Sequence, residues 1–429
     1  MTTRQRRRVR LTIAGLLAVA VCVPAIGSAP VAVAAPTDRA PAVLAAALPA
    51  KAPKATKITK DLPSTVTVSK YGTRTSAGLK VTATGTKLRY VWQYRAPGKT
   101  TWTKIKKGKS AKLTVTAKWS TGTGFRVVVK GKKGTATSKT SVLTVLAPTN
   151  TPARDAEAKF GLTGLTQGVD LSAYQYGVTM AKVASWAGPG GFTVLRTASG
   201  ARPVRTAYTS LCSGATGNTG AVPVVEDCAY AGLADQASSA GLKLGHYWFN
   251  GWTGSTDPTM TKVFSNGYSV QDSATQFVAW VKRDGNYSDT STDPLVLDVE
   301  KGRAWTTKSA GRKYTATLRA WTPIEAAAFV AAVRGLLPTA NLYVYMSANA
   351  ASKKAADGSF LWAPLASSTR LWVASWGTNN GQVPDALPKT GPWPTWSMWQ
   401  YTSSLRIPGS RTGAIDADLA RPDAWTPLG

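Results

Sequence analysis

Asp298-Val299-Glu300 sets two carboxylates at i and i+2, directly after the apolar run Leu295-Val296-Leu297. In an extended chain, side chains two apart point to the same face, with Cα atoms roughly 6–7 Å apart. Two acids on one face at the end of a buried strand cost free energy unless something pairs or uses them. A pair of carboxyl groups flanking a scissile bond is what glycoside hydrolysis requires. The plainer reading is a strand that surfaces in solvated acids, followed by Lys301 and Arg303. Two further acids stand at comparable places: Asp170 in Gly168-Val169-Asp170-Leu171-Ser172, and Asp416 in Ala414-Ile415-Asp416-Ala417-Asp418. Around them lie Tyr174, Gln175, Tyr247, Trp248, Tyr345, Trp372, Trp376, Trp399, Gln400 and Tyr401. Flat rings cover the apolar faces of sugars, and acids and amides bind their hydroxyls.

The elements that must position these groups follow from pattern. Beyond Gly161, apolar strand candidates (167–171, 192–197, 243–249, 295–299, 341–346, 370–374 and 397–401) alternate with helical stretches at 272–282 and 323–337. The second helix is well signalled, with Thr322 as N-cap, Pro323 at N1, Glu325 in the first turn and Pro338 after it. Strands alternating with helices over some 260 residues predict an α/β fold, a parallel β/α barrel with reactive groups at the strand C-termini. Between residues 61 and 147 the rhythm is different. Seven short strand candidates separated by turns, with Trp92 as the buried aromatic, predict an all-β, Ig-like sandwich.

Composition bounds the rest. The 429 residues carry a formal charge of +31. Residues 36–150 hold 23 Lys and Arg against Asp38 and Asp61, while 151–429 are close to balance. A basic module suits an anionic surface. The chain opens with five arginines, an apolar run from Leu11 to about Ile26 and Ala32-Val33-Ala34, the pattern of a secretory signal cleaved after Ala34. Export makes wall polymers or anionic headgroups the natural partners and nucleic acid a poor one. No later run is long enough for stable membrane insertion. One histidine and no CxxC exclude a zinc site and leave no Ser-His-Asp set; no cofactor or metal is called for. Once Cys22 leaves with the signal, Cys212 and Cys228 remain, a pair fit for one disulfide in an exported protein.

The expected organisation is a signal peptide (1–34), a disordered Ala/Pro/Lys linker (35–60), the basic β-sandwich (61–147), a second linker (148–163) and the barrel (164–429), in a secreted or wall-associated monomer.

The region from about Gln167 onward resembles the family 25 glycoside hydrolases, the lysozymes of the Chalaropsis type. The resemblance rests on G-V-D-L-S-x-Y-Q (168–175), F-T-V-L-R (192–196), G-L-K-L-G-H-Y-W-F (241–249), P-L-V-L-D-V-E (294–300), Y-V-Y-M-S (343–347), L-W-V-A (371–374), W-Q-Y (399–401) and I-D-A-D (415–418), in that order. It implies an irregular β/α barrel that cleaves the β-1,4 bond between N-acetylmuramic acid and N-acetylglucosamine in peptidoglycan. By position, Glu300 would be the general acid. Asp298 would orient the 2-acetamido group or stabilise oxocarbenium charge, and Asp170 and Asp416 would tune and position. The chain departs from the family pattern at Thr197-Ala198-Ser199-Gly200, at Trp248 and at Asp418. A barrel that only holds glycan, and a glycosidase of a related amino-sugar polymer, remain the competing readings.

Overall fold

The computed structural model describes residues 52–428, apart from 73, 107, 176, 200–226, 250–268, 284, 310–311, 319 and 411–412, with the side chains of 303–319 also outside the description. The expected signal peptide, most of the first linker and Cys212 therefore lie outside the described residues.

The first folded part is all β: Lys57–Lys60 (β1), Thr65–Ser69 (β2), Ser76–Lys80 (β3), Thr82–Thr84 (β4), Arg89–Arg95 (β5), Thr103–Lys104 (β6), Lys112–Thr116 (β7), Gly124–Lys130 (β8), Thr135–Thr137 (β9) and Ser141–Leu146 (β10). The main sheet runs β2-β10-β8-β5-β6, with β9 also on β8, and β1-β4 and β3-β7 form two small sheets. Alternation decides the faces. Phe125, Val127 and Val129 of β8 are buried beside Trp92 of β5, and Leu79 and Val115 of the β3-β7 pair enter the same core. The Trp92 indole N–H donates to the Ser110 carbonyl at 2.8 Å, which satisfies the polar atom of that ring. β1 falls at the end of the stretch expected to be disordered. The expected second linker also holds an ordered element, helix α1 (Pro152–Phe160), whose Pro152, Ala153 and Ala156 are buried.

The second part is a closed eight-stranded barrel: Thr166–Leu171 (β11), Phe192–Ser199 (β12), Lys243–Phe249 (β13), Pro294–Asp298 (β14), Asn341–Ser347 (β17), Arg370–Ala374 (β18), Met398–Leu405 (β19) and Ile415–Ala420 (β20). A hairpin, Arg303–Ser309 (β15) with Arg312–Leu318 (β16), is inserted after β14. Neighbours from β11 to β19 pair in parallel. β20 runs antiparallel to both β19 and β11. The expected parallel β/α barrel thus closes through one antiparallel strand.

Each barrel strand is buried on both faces, as parallel strands covered by helices must be. One face looks inward: Phe192, Val194, Tyr247, Phe249, Val296, Tyr343, Tyr345, Trp372, Met398 and Ala420 fill the interior. The other face packs under helices Met180–Ala187 (α2), Tyr230–Ser239 (α3), Val270–Arg283 (α4) and Pro323–Leu336 (α5). α4 buries Ala274, Phe277, Val278 and Val281, one stripe at helical spacing. α5 starts with the capping box that its sequence announces: Glu325 N–H donates to Thr322 Oγ1 at 3.2 Å, and Thr322 N–H to Glu325 Oε2 at 3.0 Å. At the barrel floor Gly168 is required. A Cβ there would lie 2.4 Å from the Phe192 carbonyl oxygen and 2.5 Å from its ring. Among the described residues no helix is long and apolar enough to cross a membrane.

Candidate active site

The C-terminal ends of the parallel strands converge on a pocket of about 170 Å³. Its acids are Asp170 from β11, Asp298 from β14, Glu300 two residues beyond that strand, and Asp416 from the start of β20. Strand register brings them together. Asp170 lies opposite Asp416 across the β11-β20 pair, and Asp298 is flanked by Phe249 and Tyr345 on its two neighbours. Because β20 runs backwards, its first residues, not its last, reach the open end of the barrel. Tyr174, Gln175, Tyr247, Tyr345, Trp372 and Gln400 line the same pocket.

Three expected contacts are corrected. Trp248, Trp399 and Tyr401 are wholly buried on the outer face of the barrel wall. Trp248 packs among Phe277, Trp280 and Phe329, and Trp399 against Phe160 and Trp396. The reason is the two-residue period of a strand. Tyr247 and Gln400 point inward, so their immediate neighbours point to the helices. Trp376 is partly exposed at 39 % and stands outside the acid ring, in an adjoining chamber of about 890 Å³. Glu300 and Tyr345 belong to both spaces. Glu300 thus sits on the divide between the acid ring and a larger chamber walled by Trp321, Trp362 and Trp376.

A hydrogen-bond chain fixes the polar floor. Gln400 Oε1 accepts from Tyr345 Oη at 2.9 Å and from Trp376 Nε1 at 2.8 Å, which leaves Gln400 Nε2 to donate to Asp170 Oδ2 at 2.7 Å. Beneath them Trp372 Nε1 donates to Asp418 Oδ1 at 2.8 Å. Burial first, and then the Asp418 carboxyl, push the Asp170 carboxyl well above the ordinary range, against the opposing pull of Gln400. Asp418 is pushed up to about 8, chiefly by burial. Asp416 is raised by burial and by Asp170 and Glu300. Burial and mutual charge thus push all three carboxyls in the same direction, toward the protonated form. Burial likewise keeps the Tyr247 and Tyr345 phenols neutral.

Sequence reasoning gave no site role to three residues found here. Arg196 lines the pocket, and its Nε donates to Asp227 Oδ2. Asp227 also accepts from the Ala173 and Ala229 backbone N–H groups at 3.1 and 3.0 Å, which ties β12 to the short helix Ala173–Gln175 and to the start of α3. The Arg196 guanidinium lies 5.6 Å from the Tyr174 ring, which is 64 % exposed at the pocket rim. A charged residue closing the apolar run Phe192–Leu195 was the available signal for Arg196. For Asp418 it was the spacing of two from Asp416. Asp227 carried none. Cys228 is half-buried against the barrel core, and its expected partner Cys212 lies outside the described residues.

Residues 219–410 match the family model described as Glycosyl hydrolases family 25. That span contains Asp298, Glu300 and Gln400. The matched segment is accordingly of the family 25 glycoside hydrolases, and the protein is a glycoside hydrolase. A second model, described as Pertactin, covers residues 100–188, a span that runs from the β module into α2 and so matches no single folded part. Among solved structures, the bacterial lysozyme from Streptomyces coelicolor is 21 % identical over 60 % of this chain and 92 % of that one, with a TM-score of 0.37. The spore cortex lytic enzyme SleM of Clostridium perfringens is 20 % identical over 60 % and 67 %, also at 0.37. The modular autolysin LytC of Streptococcus pneumoniae is 13 % identical over 69 % and 56 %, again at 0.37. Likenesses at these TM-scores do not bear on the function. No curated protein matches the chain.

Proposed function

We propose that the protein is an exported muramidase that cleaves the β-1,4 bond between N-acetylmuramic acid and N-acetylglucosamine in peptidoglycan. The observation that carries this reading is the position of Glu300, between the acid ring and the larger aromatic-walled chamber. A polymer strand laid across that divide has sugars on both sides of the acid, the arrangement that internal cleavage needs. Glu300 donates its proton to the departing glycosidic oxygen. Asp298, beside it, orients the 2-acetamido group of the sugar that is losing its leaving group, or stabilises its oxocarbenium-like charge. Asp170 and Asp416, with Asp418 beneath, tune the site's acidity and position the sugar through hydrogen bonds. Tyr174 and Trp376 supply stacking surfaces at the rim. A disulfide between Cys212 and Cys228, the signal peptide over residues 1–34 and a monomeric state belong to the same reading.

The β module supplies the anchor. On the outward face of its main sheet Arg89 lies opposite Lys130, and Gln93 lies between Arg126 and Lys104 on the neighbouring strands. Arg126 and Arg95 stack on the Trp102 ring at 4.1 and 5.1 Å. Asp61 is the one acid in the described part of the module, and its Oδ1 accepts from the Leu62 and Lys139 backbone N–H groups. Like charges opposed across a sheet are unfavourable by themselves. A polyanion of the cell wall relieves that repulsion and would bind there, under an Ig-like description of the module.

The test is digestion of purified peptidoglycan by the mature protein and by Glu300→Gln, with borohydride reduction and mass spectrometry of the products. New reducing muramic acid ends from the wild type, absent with Glu300→Gln, are expected. Reducing glucosamine ends would make it a glucosaminidase. Pelleting on walls without cleavage would make it a glycan-binding protein.

A further inference from the structure

The turn after β2 meets the barrel at one loop. Gly72 has φ +82°, and a Cβ on it would lie 1.8 Å from the Asn379 carbonyl oxygen. Next to this contact, Asn380 Nδ2 donates to Ser69 Oγ at 3.3 Å, with both residues buried. The Arg406 guanidinium lies 4.7 Å over the Tyr71 ring. A strap from between the two parts adds the Thr149 N–H, which donates to the Gly381 carbonyl at 3.1 Å.

This barrel loop joins β18 to β19 and carries Trp376. It is held from the barrel side as well. Asn379, itself at φ +46°, accepts on Oδ1 from Thr402 Oγ1 at 2.9 Å and from the Ser403 N–H at 2.7 Å. Its own N–H donates to the Trp376 carbonyl at 2.7 Å. Trp376 and Gly377 form part of the wall of the larger chamber, and the Trp376 indole donates to Gln400, which holds Asp170. The loop is therefore clamped between β19 and the module, and no atom of the module's turn lines either chamber.

We propose that the β module is a buttress of the substrate cleft: its Ser69–Gly72 turn fixes the Trp376 loop, and so the wall of the larger chamber, without touching substrate. This rests on the reading of both chambers as glycan-binding. The module then has two separable duties. Its cationic sheet face serves the wall, and its turn serves the cleft. Residues Ser69, Gly72, Asn379 and Asn380 are positioning residues for Trp376.

The experiment uses the full chain with Gly72→Ala, and Gly98→Ala as its control. Gly98 also has a left-handed φ, +70°, but a Cβ there meets nothing within 4 Å. Both variants thus carry the same kind of backbone strain, and only one carries the clash. Asn380→Ala serves as a second interface variant should Gly72→Ala fold poorly. Each is made with and without Glu300→Gln, so that binding is read by titration separately from turnover. The ligands are a disaccharide and an octasaccharide prepared from peptidoglycan. Gly72→Ala is expected to weaken octasaccharide binding and raise KM by roughly tenfold or more, as displacement of a positioning element does. Disaccharide binding should equal that of Gly98→Ala. Octasaccharide binding equal in both glycine variants, or equal losses on both ligands, overturns the buttress. Wild-type protein that binds the octasaccharide in a Gly72-dependent way but cleaves nothing refutes the muramidase reading and leaves the buttress standing.

Discussion

Gln400 donates its amide to Asp170 at 2.7 Å while both lone-pair directions of its carbonyl are taken by Tyr345 and Trp376. One side chain thereby joins the rim of the larger chamber to the floor of the acid ring. The hydrogen bond from Gln400 also opposes the burial that raises the Asp170 carboxyl. Gln400→Leu removes this opposition and strands three polar partners. A loss of about 10- to 100-fold in kcat/KM is expected, with the Asp170 carboxyl driven higher still. Steady-state kinetics on solubilised glycan across a pH series, against Tm as a folding control, measures it. Unchanged kinetics would remove Gln400 from the machinery.

Asp418 makes stability depend on pH in a defined direction. Its folded-state value is about 8, against about 3.9 for an unfolded aspartate. The folded protein therefore holds a proton that the unfolded chain has released. The contribution of this group is complete below about pH 3.9 and is lost as the pH rises through about 8. Buried Asp170 and Asp416, also raised, act in the same sense. Asp418→Asn should flatten the decline in stability from pH 5 to pH 8, read as Tm or urea midpoint. A variant as pH-sensitive as the wild type would show that Asp418 is not the group concerned.

Trp248 separates a packing role from a binding one. It is wholly buried between the barrel wall and the helices, nearly parallel to Trp280 at 6.1 Å and tilted against Phe329. Trp248→Ala should cost about 3–5 kcal/mol in urea unfolding. The glycan affinity of the remaining folded protein should be unaltered. Weakened binding at full stability would return Trp248 to the cleft.

The cationic sheet face should reveal itself through salt. The double change Arg89→Glu and Lys130→Glu reverses two opposed charges at the surface. Pelleting on purified walls should fall at about 0.1 M salt, where the Debye length is about 10 Å, and the variant should match the wild type near 1 M, where it is about 3 Å. Turnover of soluble glycan should be untouched. Pelleting that ignores both the charge reversal and the salt would place the anchor elsewhere.

The parallel strands could be read from sequence because burial on both faces leaves nearly continuous apolar runs. Pro294–Asp298, for example, is buried at every position. β20 could not be read in this way. Asp416 and Asp418 break its apolar run, and only the closed barrel makes their alternate placement a strand with both acids inward. The same alternation explains the misplaced aromatics. Tyr247-Trp248 and Trp399-Gln400-Tyr401 each look like one aromatic cluster in sequence, and a pleated strand divides them between two faces. Residues that act by tying loops together, as Asp227 does for Ala173, Arg196 and Ala229, leave no local pattern to find.

The backward course of β20 has a bearing on assembly. β11 waits for a partner some 250 residues further along the chain, and ring closure and the last two acids arrive with the same six residues. Contacts so remote in sequence form late in folding. The pocket is therefore incomplete until the fold is nearly finished. A chain truncated before Ile415 would keep Asp298 and Glu300 yet lack both the seam that closes the barrel and the acid facing Asp170.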